Sequence, residues 1–147
     1  MQTFLPYFSF VESAKCLDFR RLGKQRIETW QILQALSNPN YGWQNHPAVN
    51  QWRGYDYQLA NYGLVICREW TKRGYRDTMA DKISERLMDI HEDYGNYGTV
   101  NPDWLGLEKF HLSHKSNLIR KFPEHYGKLW PDVPNNIEYY WPTKHCA

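Results

Sequence analysis

The stretch Leu17–Glu28, LDFRRLGKQRIE, constrains this chain most. It opens a helix predicted to run to about Leu36. Phe19, Leu22, Ile27, Trp30, Leu33 and Leu36 recur at roughly helical spacing and are expected to face a core. Asp18, Arg21, Lys24, Gln25 and Glu28 fall at three- and four-residue steps on another side, flanked by Arg20 and Arg26. A core requires the apolar stripe. It does not require Arg20, Arg21, Lys24, Arg26 and Glu28 packed into one short run. Such a cluster can grip a phosphate backbone and set one acid beside it. It can equally be a solvated helix face laced with intrahelical ion pairs.

A chain of 147 residues is expected to form a single domain, 1–147, with a sizeable core. Residues 1–10 read as an apolar, aromatic N-terminal arm broken by Pro6. Residues 131–147, with three prolines, read as an extended C-terminal tail laid over the surface. Between them lie helical patterns. A short one covers Val11–Leu17, and the long helix ends at Ser37-Asn38-Pro39-Asn40. Another short one starts at Pro47, with His46 just before it, and reaches about Arg53. Asp56–Arg73 carries Leu59, Tyr62, Ile66 and Trp70 in one line, with Gly63 as a thin spot for close helix contact. Lys72-Arg73-Gly74 stops it. The next helix begins at Arg76-Asp77-Thr78, carries Met79, Ile83, Leu87 and Ile90, and ends near Tyr94-Gly95. After a loop over 94–103, Trp104–Lys121 is helical, and Pro123–Trp130 is a short helix or turn. No strand pattern or repeat is visible. The expected fold is all-α, one compact domain of four to five helices.

Net charge is only +2, but it is uneven. Lys15–Glu28 holds five cations and two acids, Lys109–Lys128 five cations and one acid, and Asp81–Asp93 five acids and two cations. A basic side and an acidic side favour an anionic partner approached from one direction. Cys16, Cys67 and Cys146 show no Cys-x-x-Cys spacing, so reduced thiols in a cytoplasmic setting are expected. Met1–Phe10 lacks the pattern of a secretory signal, and no apolar run is long enough to span a bilayer.

Other signatures narrow the chemistry. His111 and His114 have a spacing that metals use, but no His-Glu-x-x-His is present, and a further ligand would have to come from His91, Glu92 or His125. No metal or other cofactor is expected. There is no phosphate loop and no Gly-x-Ser-x-Gly elbow. The helix ending at Lys121 mixes Ser113, Ser116 and Asn117 with Lys115, Arg120 and Lys121, the residue types that contact phosphates. Tyr126 and Trp130 follow, and could stack on an extruded base or cover the core.

These motifs resemble a known family. Leu17–Arg26, Asn45-His46-Pro47-Ala48-Val49, Trp52-Arg53-Gly54-Tyr55, Cys67-Arg68-Glu69-Trp70, Phe110-His111 with Ser113-His114, and Ser116–Lys121 look like the pyrimidine-dimer DNA glycosylases. These are all-helical repair enzymes of the phage endonuclease V type, and the match is nearest to their small bacterial and phage members. The resemblance implies a DNA glycosylase, with or without abasic-site lyase activity, acting on double-stranded DNA with a damaged or modified base. It implies a monomer in the cytoplasm of a bacterial or phage-infected cell. In that family the α-amine of the mature N-terminus attacks the sugar carbon as the base leaves, and a Schiff base forms. A glutamate early in the long helix assists, and arginines hold flanking phosphates.

Two positions depart from the family pattern. Residue 2 is Gln where the family has Thr, so Met1 is expected to stay and to offer its own amine. Arg21 stands where the family glutamate aligns, and Glu28 lies two helical turns further on. The expected catalytic residues are therefore Met1 and Glu28, with Lys24 as an internal amine in reserve. The expected nucleic-acid contacts are Arg20, Arg21, Arg26, His46, Arg53, His111, His114, Ser116, Asn117, Arg120, Lys121 and Tyr126. The alternative is a non-catalytic nucleic-acid or nucleotide-binding module on the same scaffold.

Overall fold

The computed structural model describes residues 1–95 and 99–142, and of Tyr94 the backbone only. Seven helices and no strand occur among the described residues: α1 Phe10–Cys16, α2 Phe19–Ser37, α3 Pro47–Asn50, α4 Asp56–Lys72, α5 Ala80–Tyr94, α6 Glu108–Lys121 and α7 Pro123–Leu129. The all-α expectation holds. The count exceeds four to five because α1, α3 and α7 close as separate short helices. Part of the expected 94–103 loop and the tail beyond 142, with Cys146, lie outside the described residues.

The ends of α2 follow from its sequence. Asp18 caps its start, accepting from Arg21 N at 3.4 Å, and Asn38-Pro39 ends it. Its packing departs from the periodicity reading. Leu22 and Leu33 are buried as expected, but Phe19 and Ile27 are exposed, and Gln25, Glu28 and Thr29 are buried instead. The inward face is therefore half polar. It must be, because it meets the main chain of the N-terminal arm.

α2 packs chiefly on α4, and α4 on α5 and α1. Glycines set the α2–α4 approach. A Cβ on Gly63 would stand 2.7 Å from Thr29 Cγ2, and one on Gly23 2.9 Å from the Trp70 ring. The core joins Leu22, Ile32 and Leu33 to Leu59, Tyr62, Ile66 and Ile83. Burying each such aliphatic side chain is worth about 1.5–3 kcal/mol. Trp52 and Trp104, edge to face at 4.9 Å, close the core toward α6.

Residues 2–5 run through this core, buried and with no strand partner. Buried peptide groups need hydrogen-bond partners, and here side chains supply them. Gln2 N donates to Glu28 Oε2 at 2.8 Å, and Gln25 Nε2 donates to Gln2 O at 2.7 Å. Phe4 N donates to Gln25 Oε1 at 2.9 Å, and the Tyr62 hydroxyl lies 2.8 Å from Phe4 O. Leu5 N donates to His114 Nδ1 at 2.9 Å. Gly106 N donates to His111 Nε2 at 2.9 Å, so the His111 proton is on Nδ1 and is donated to Leu5 O at 2.7 Å. Thr3 Oγ1 accepts from Trp52 Nε1 at 2.9 Å and from Gln51 Nε2 at 3.2 Å.

Candidate functional site

The clamped arm delivers Met1 to the wall of a cleft of about 360 Å³. Met1, Gln2 and Phe4 form one side, and α2 contributes Arg20, Arg21, Lys24, Gln25 and Glu28. Lys121 from the end of α6 and Tyr139 from the tail complete it. Four cationic side chains thus surround one carboxylate. A cleft of this size falls within the range that takes small organic groups, and its charge suits an anionic ligand.

Glu28 is 8% exposed. Oε2 accepts from Gln2 N, and Oε1 lies 3.7 Å from Lys24 Nζ. Lys24 itself is open to solvent, its side chain 73% exposed. Arg20 is exposed and lies beside the Phe19 ring. Arg21 pairs with Asp18 at 3.2 Å. Burial works to raise the Asp18 pKa, but hydrogen bonds from Tyr126 and Arg21 outweigh it and hold the carboxyl below its ordinary value.

Several sequence expectations are corrected by burial. Arg26 was expected to bind phosphate. Its Nη1 instead donates to Asp77 Oδ1 at 2.7 Å, and its guanidinium lies over Trp70 at 4.5 Å. Asp77 also accepts from Ala80 N at 2.8 Å and so anchors the start of α5. His111 and His114 were expected to face DNA. They are buried and both serve the peptide of Leu5. Burial drives His114 down to about 3, with His111 adding to the shift, and so keeps it neutral.

The polar face of α6 holds the chain's other end. Ser116 Oγ accepts from Ile137 N at 2.9 Å, and Ser113 Oγ from Tyr140 N at 3.1 Å. Asn117 Nδ2 donates to Ile137 O at 3.1 Å. Arg120 is bonded to Asn135 O and Asn117 Oδ1. Ser116, Asn117 and Arg120 were expected to take phosphates, and their hydrogen-bonding groups are engaged by the tail. Tyr126 is buried and its hydroxyl accepts from Asp18 N at 2.9 Å, so it is core rather than a stacking platform. Of the residues expected on α6 and α7, Lys121 reaches the cleft.

His46 caps α3, accepting from Ala48 N through Nδ1 at 3.0 Å. Its pKa is lowered by burial first and then by the charged amino terminus, while Glu28 acts in the opposite sense. Arg53, exposed, is bound to Gln44 O at 3.0 Å and does not line the cleft.

Four cleft residues, Gln2, Phe4, Gln25 and Tyr139, were not among those expected from the sequence. Tyr139 carried no signal, because the bonds from Ser113 and Ser116 bring it there. Gln2 was noted only as a departure. Its Oε1 accepts from Thr3 N at 2.9 Å, and its buried amide interacts with the Tyr139 phenol, which opposes the upward push that burial gives that group's pKa.

An all-helical frame whose N-terminus and a glutamate share a cationic cleft is the arrangement expected of the glycosylase resemblance. The family model for pyrimidine dimer DNA glycosylase matches residues 1–83, more than half of the chain, and the chain belongs to that family. Membership supports a DNA-glycosylase repair function in general, with DNA as the partner. The matched range holds Met1, Arg20, Arg21, Lys24 and Glu28, while Lys121 and Tyr139 lie beyond it. No curated protein and no solved structure matches the chain. Among the described residues no helix is long and apolar enough to cross a membrane.

Proposed function

We propose that this protein is a DNA glycosylase with abasic-site lyase activity, acting on a damaged or modified base through an amine nucleophile. The observation that carries the reading is that Met1 and Glu28 line one cleft walled by Arg20, Arg21, Lys24 and Lys121. Residues 1–147 act as one domain and one monomer in this reading.

With Met1 as the first residue of the mature chain, its unprotonated α-amine forms a bond to C1′ of the sugar. The bond from C1′ to the base breaks, and its electron pair leaves with the base. Ring opening gives a Schiff base. Loss of a C2′ proton then expels the 3′ phosphate and breaks the strand. Glu28 stabilises the positive charge that develops on the sugar. Arg20, Arg21 and Lys121 hold flanking phosphates. Met1 rather than Lys24 is the nucleophile in this reading because the arm holds the chain start against Glu28, while the Lys24 side chain stands 73% exposed.

Borohydride trapping on duplexes with an abasic site or a lesion tests this. The expected result is a covalent adduct that maps to Met1 by mass spectrometry and survives Lys24→Gln. An adduct at Lys24 would transfer the role to that residue. Salt-sensitive duplex binding with neither base release nor adduct would leave a non-catalytic binding module. That second reading is favoured by the fact that both oxygens of Glu28 already have neighbours.

A further inference from the structure

We infer that a second groove, beside the cleft, takes a single-stranded stretch of the same DNA and stacks its bases on Phe19 and Phe122. The inference rests on the reading of the cleft as the place where DNA is engaged. It adds a second binding surface and a kind of substrate, DNA in which the duplex gives way to unpaired nucleotides.

The groove holds about 650 Å³, and its lining includes Lys15, Phe19, Lys72, Phe122 and His125. It shares a ridge with the cleft. Arg20 and Lys121 line the cleft, while their chain neighbours Phe19 and Phe122 line the groove. A backbone whose phosphates lie on Arg20 and Lys121 therefore borders both. Asp18 and Glu69 also line the groove, but Arg21 and Arg73 pair with them at 3.2 and 2.8 Å. Lys72, exposed, and Lys15, with exposed Glu12 at 4.0 Å, give the surface its cationic character.

Phe19 and Phe122 are 49% and 36% exposed, large apolar rings set among charges. Each is the outer ring of a stack. Trp70, Tyr75 and Phe19 lie nearly parallel, with interplanar angles of 22° and 20° and centroids 4.2 and 6.2 Å apart. Phe122 lies on His125 at 24° and 5.6 Å. Flat rings beside cations are what an unpaired strand requires, because its bases need faces to stack on and its phosphates need charge. Duplex DNA makes no use of such rings, since its base faces are already stacked on one another. The groove therefore fits a single strand that continues from the duplex held at the cleft.

The test uses equilibrium binding of the full chain to a duplex with tetrahydrofuran (an abasic analogue that resists cleavage) near one end. That end is left blunt, extended by a single strand of about six thymines, or extended by about six abasic units. Both tails carry the same phosphates, only the first carries bases, and each is placed on either strand in turn. The thymine tail on one of the strands is expected to bind about tenfold tighter than the baseless tail, the effect of stacking one base. Phe19→Ala and Phe122→Ala should each cut that gain severalfold and leave blunt-duplex binding unchanged, while Phe19→Tyr should keep the gain. Thermal midpoints identify a variant that fails to fold, and the other then decides. Equal wild-type affinity for the two tails on both strands overturns the proposal and leaves the groove to a protein partner. A folded Phe19→Ala or Phe122→Ala protein that keeps the full gain overturns it as well. Blunt-duplex binding that is indifferent to Arg20→Ala with Lys121→Ala would refute the reading of the cleft, whereas the comparison of tails judges the groove alone.

Discussion

The backbone N–H of Gln2 donates to Glu28 Oε2 at 2.8 Å. This bond ties the start of the chain to the middle of α2 and fixes where Met1 stands against the carboxylate. It also separates two roles of Glu28, an acceptor for the arm and a charge for the cleft. Glu28→Gln keeps an amide oxygen for Gln2 N and removes the charge. Base release in single turnover should fall about 10²–10³-fold, while stability changes by about 1 kcal/mol or less. An unchanged rate would remove Glu28 from the chemistry.

Arg20 and Arg26 sit on one helix and should behave differently. Neutralising Arg20, Arg21 or Lys121 should each reduce the salt dependence of duplex binding, by about 0.9 in the log–log slope for every phosphate that is no longer neutralised. Arg26→Ala should leave that slope alone. It should instead lower stability by about 1–3 kcal/mol, because Asp77 is left without its charged partner inside the fold. Equal salt slopes for all four variants would contradict the assignment of Arg26 to structure.

Acid should release the arm. Burial lowers His114 from 6.5 to about 3, so between those values the unfolded chain binds a proton that the folded protein does not. Its contribution is whole above about pH 6.5 and declines as the pH falls toward 3, by about 1.4 kcal/mol per pH unit. His111 and His46, also lowered chiefly by burial, act in the same direction. Asp18 and Asp77 are held below 3.8, so their contribution is present above that value and is lost lower still, through their folded pKa values. Urea midpoints at about pH 7.5, 6, 5 and 4 should decline steadily, and His114→Asn should flatten the decline. A level profile would contradict a neutral His114 clamp.

The α2–α4 seam should resist enlargement. A Cβ at Gly63 meets Thr29 Cγ2 at 2.7 Å and Ile83 Cδ1 at 3.1 Å. Gly63→Val should destabilise by about 1–3 kcal/mol. At Gly42 nothing lies within 4 Å of a new Cβ, so Gly42→Ala should be near neutral. Thermal unfolding of the two proteins side by side checks the contrast.

Much of the frame was legible in the sequence because helices declare themselves locally. Asn38-Pro39, Pro47 and Gly74 marked ends, and the helical period marked α4 and α5. The period misled on α2, where Phe19 and Ile27 are exposed while Gln25 and Glu28 are buried. The available hint was that Gln25 and Thr29 share a helical face with Leu22, Ile32 and Leu33, all of them buried. The same limit applied to α6, where Ser113, Ser116, Asn117 and the two histidines read as a surface for phosphates.

The sequence by itself determined the all-helical class, the cationic head of α2 and the family to which it points, since each is written within short spans. Only the tertiary structure decided which polar groups remain available to a partner. A buried extended arm has no strand beside it, so its peptide groups draw on side chains from α2, α4 and α6. That demand takes Gln25, Tyr62, His111 and His114 out of the functional inventory. It leaves Arg20, Arg21, Lys24, Lys121 and Tyr139 around Met1 and Glu28, brought together over separations no local pattern encodes.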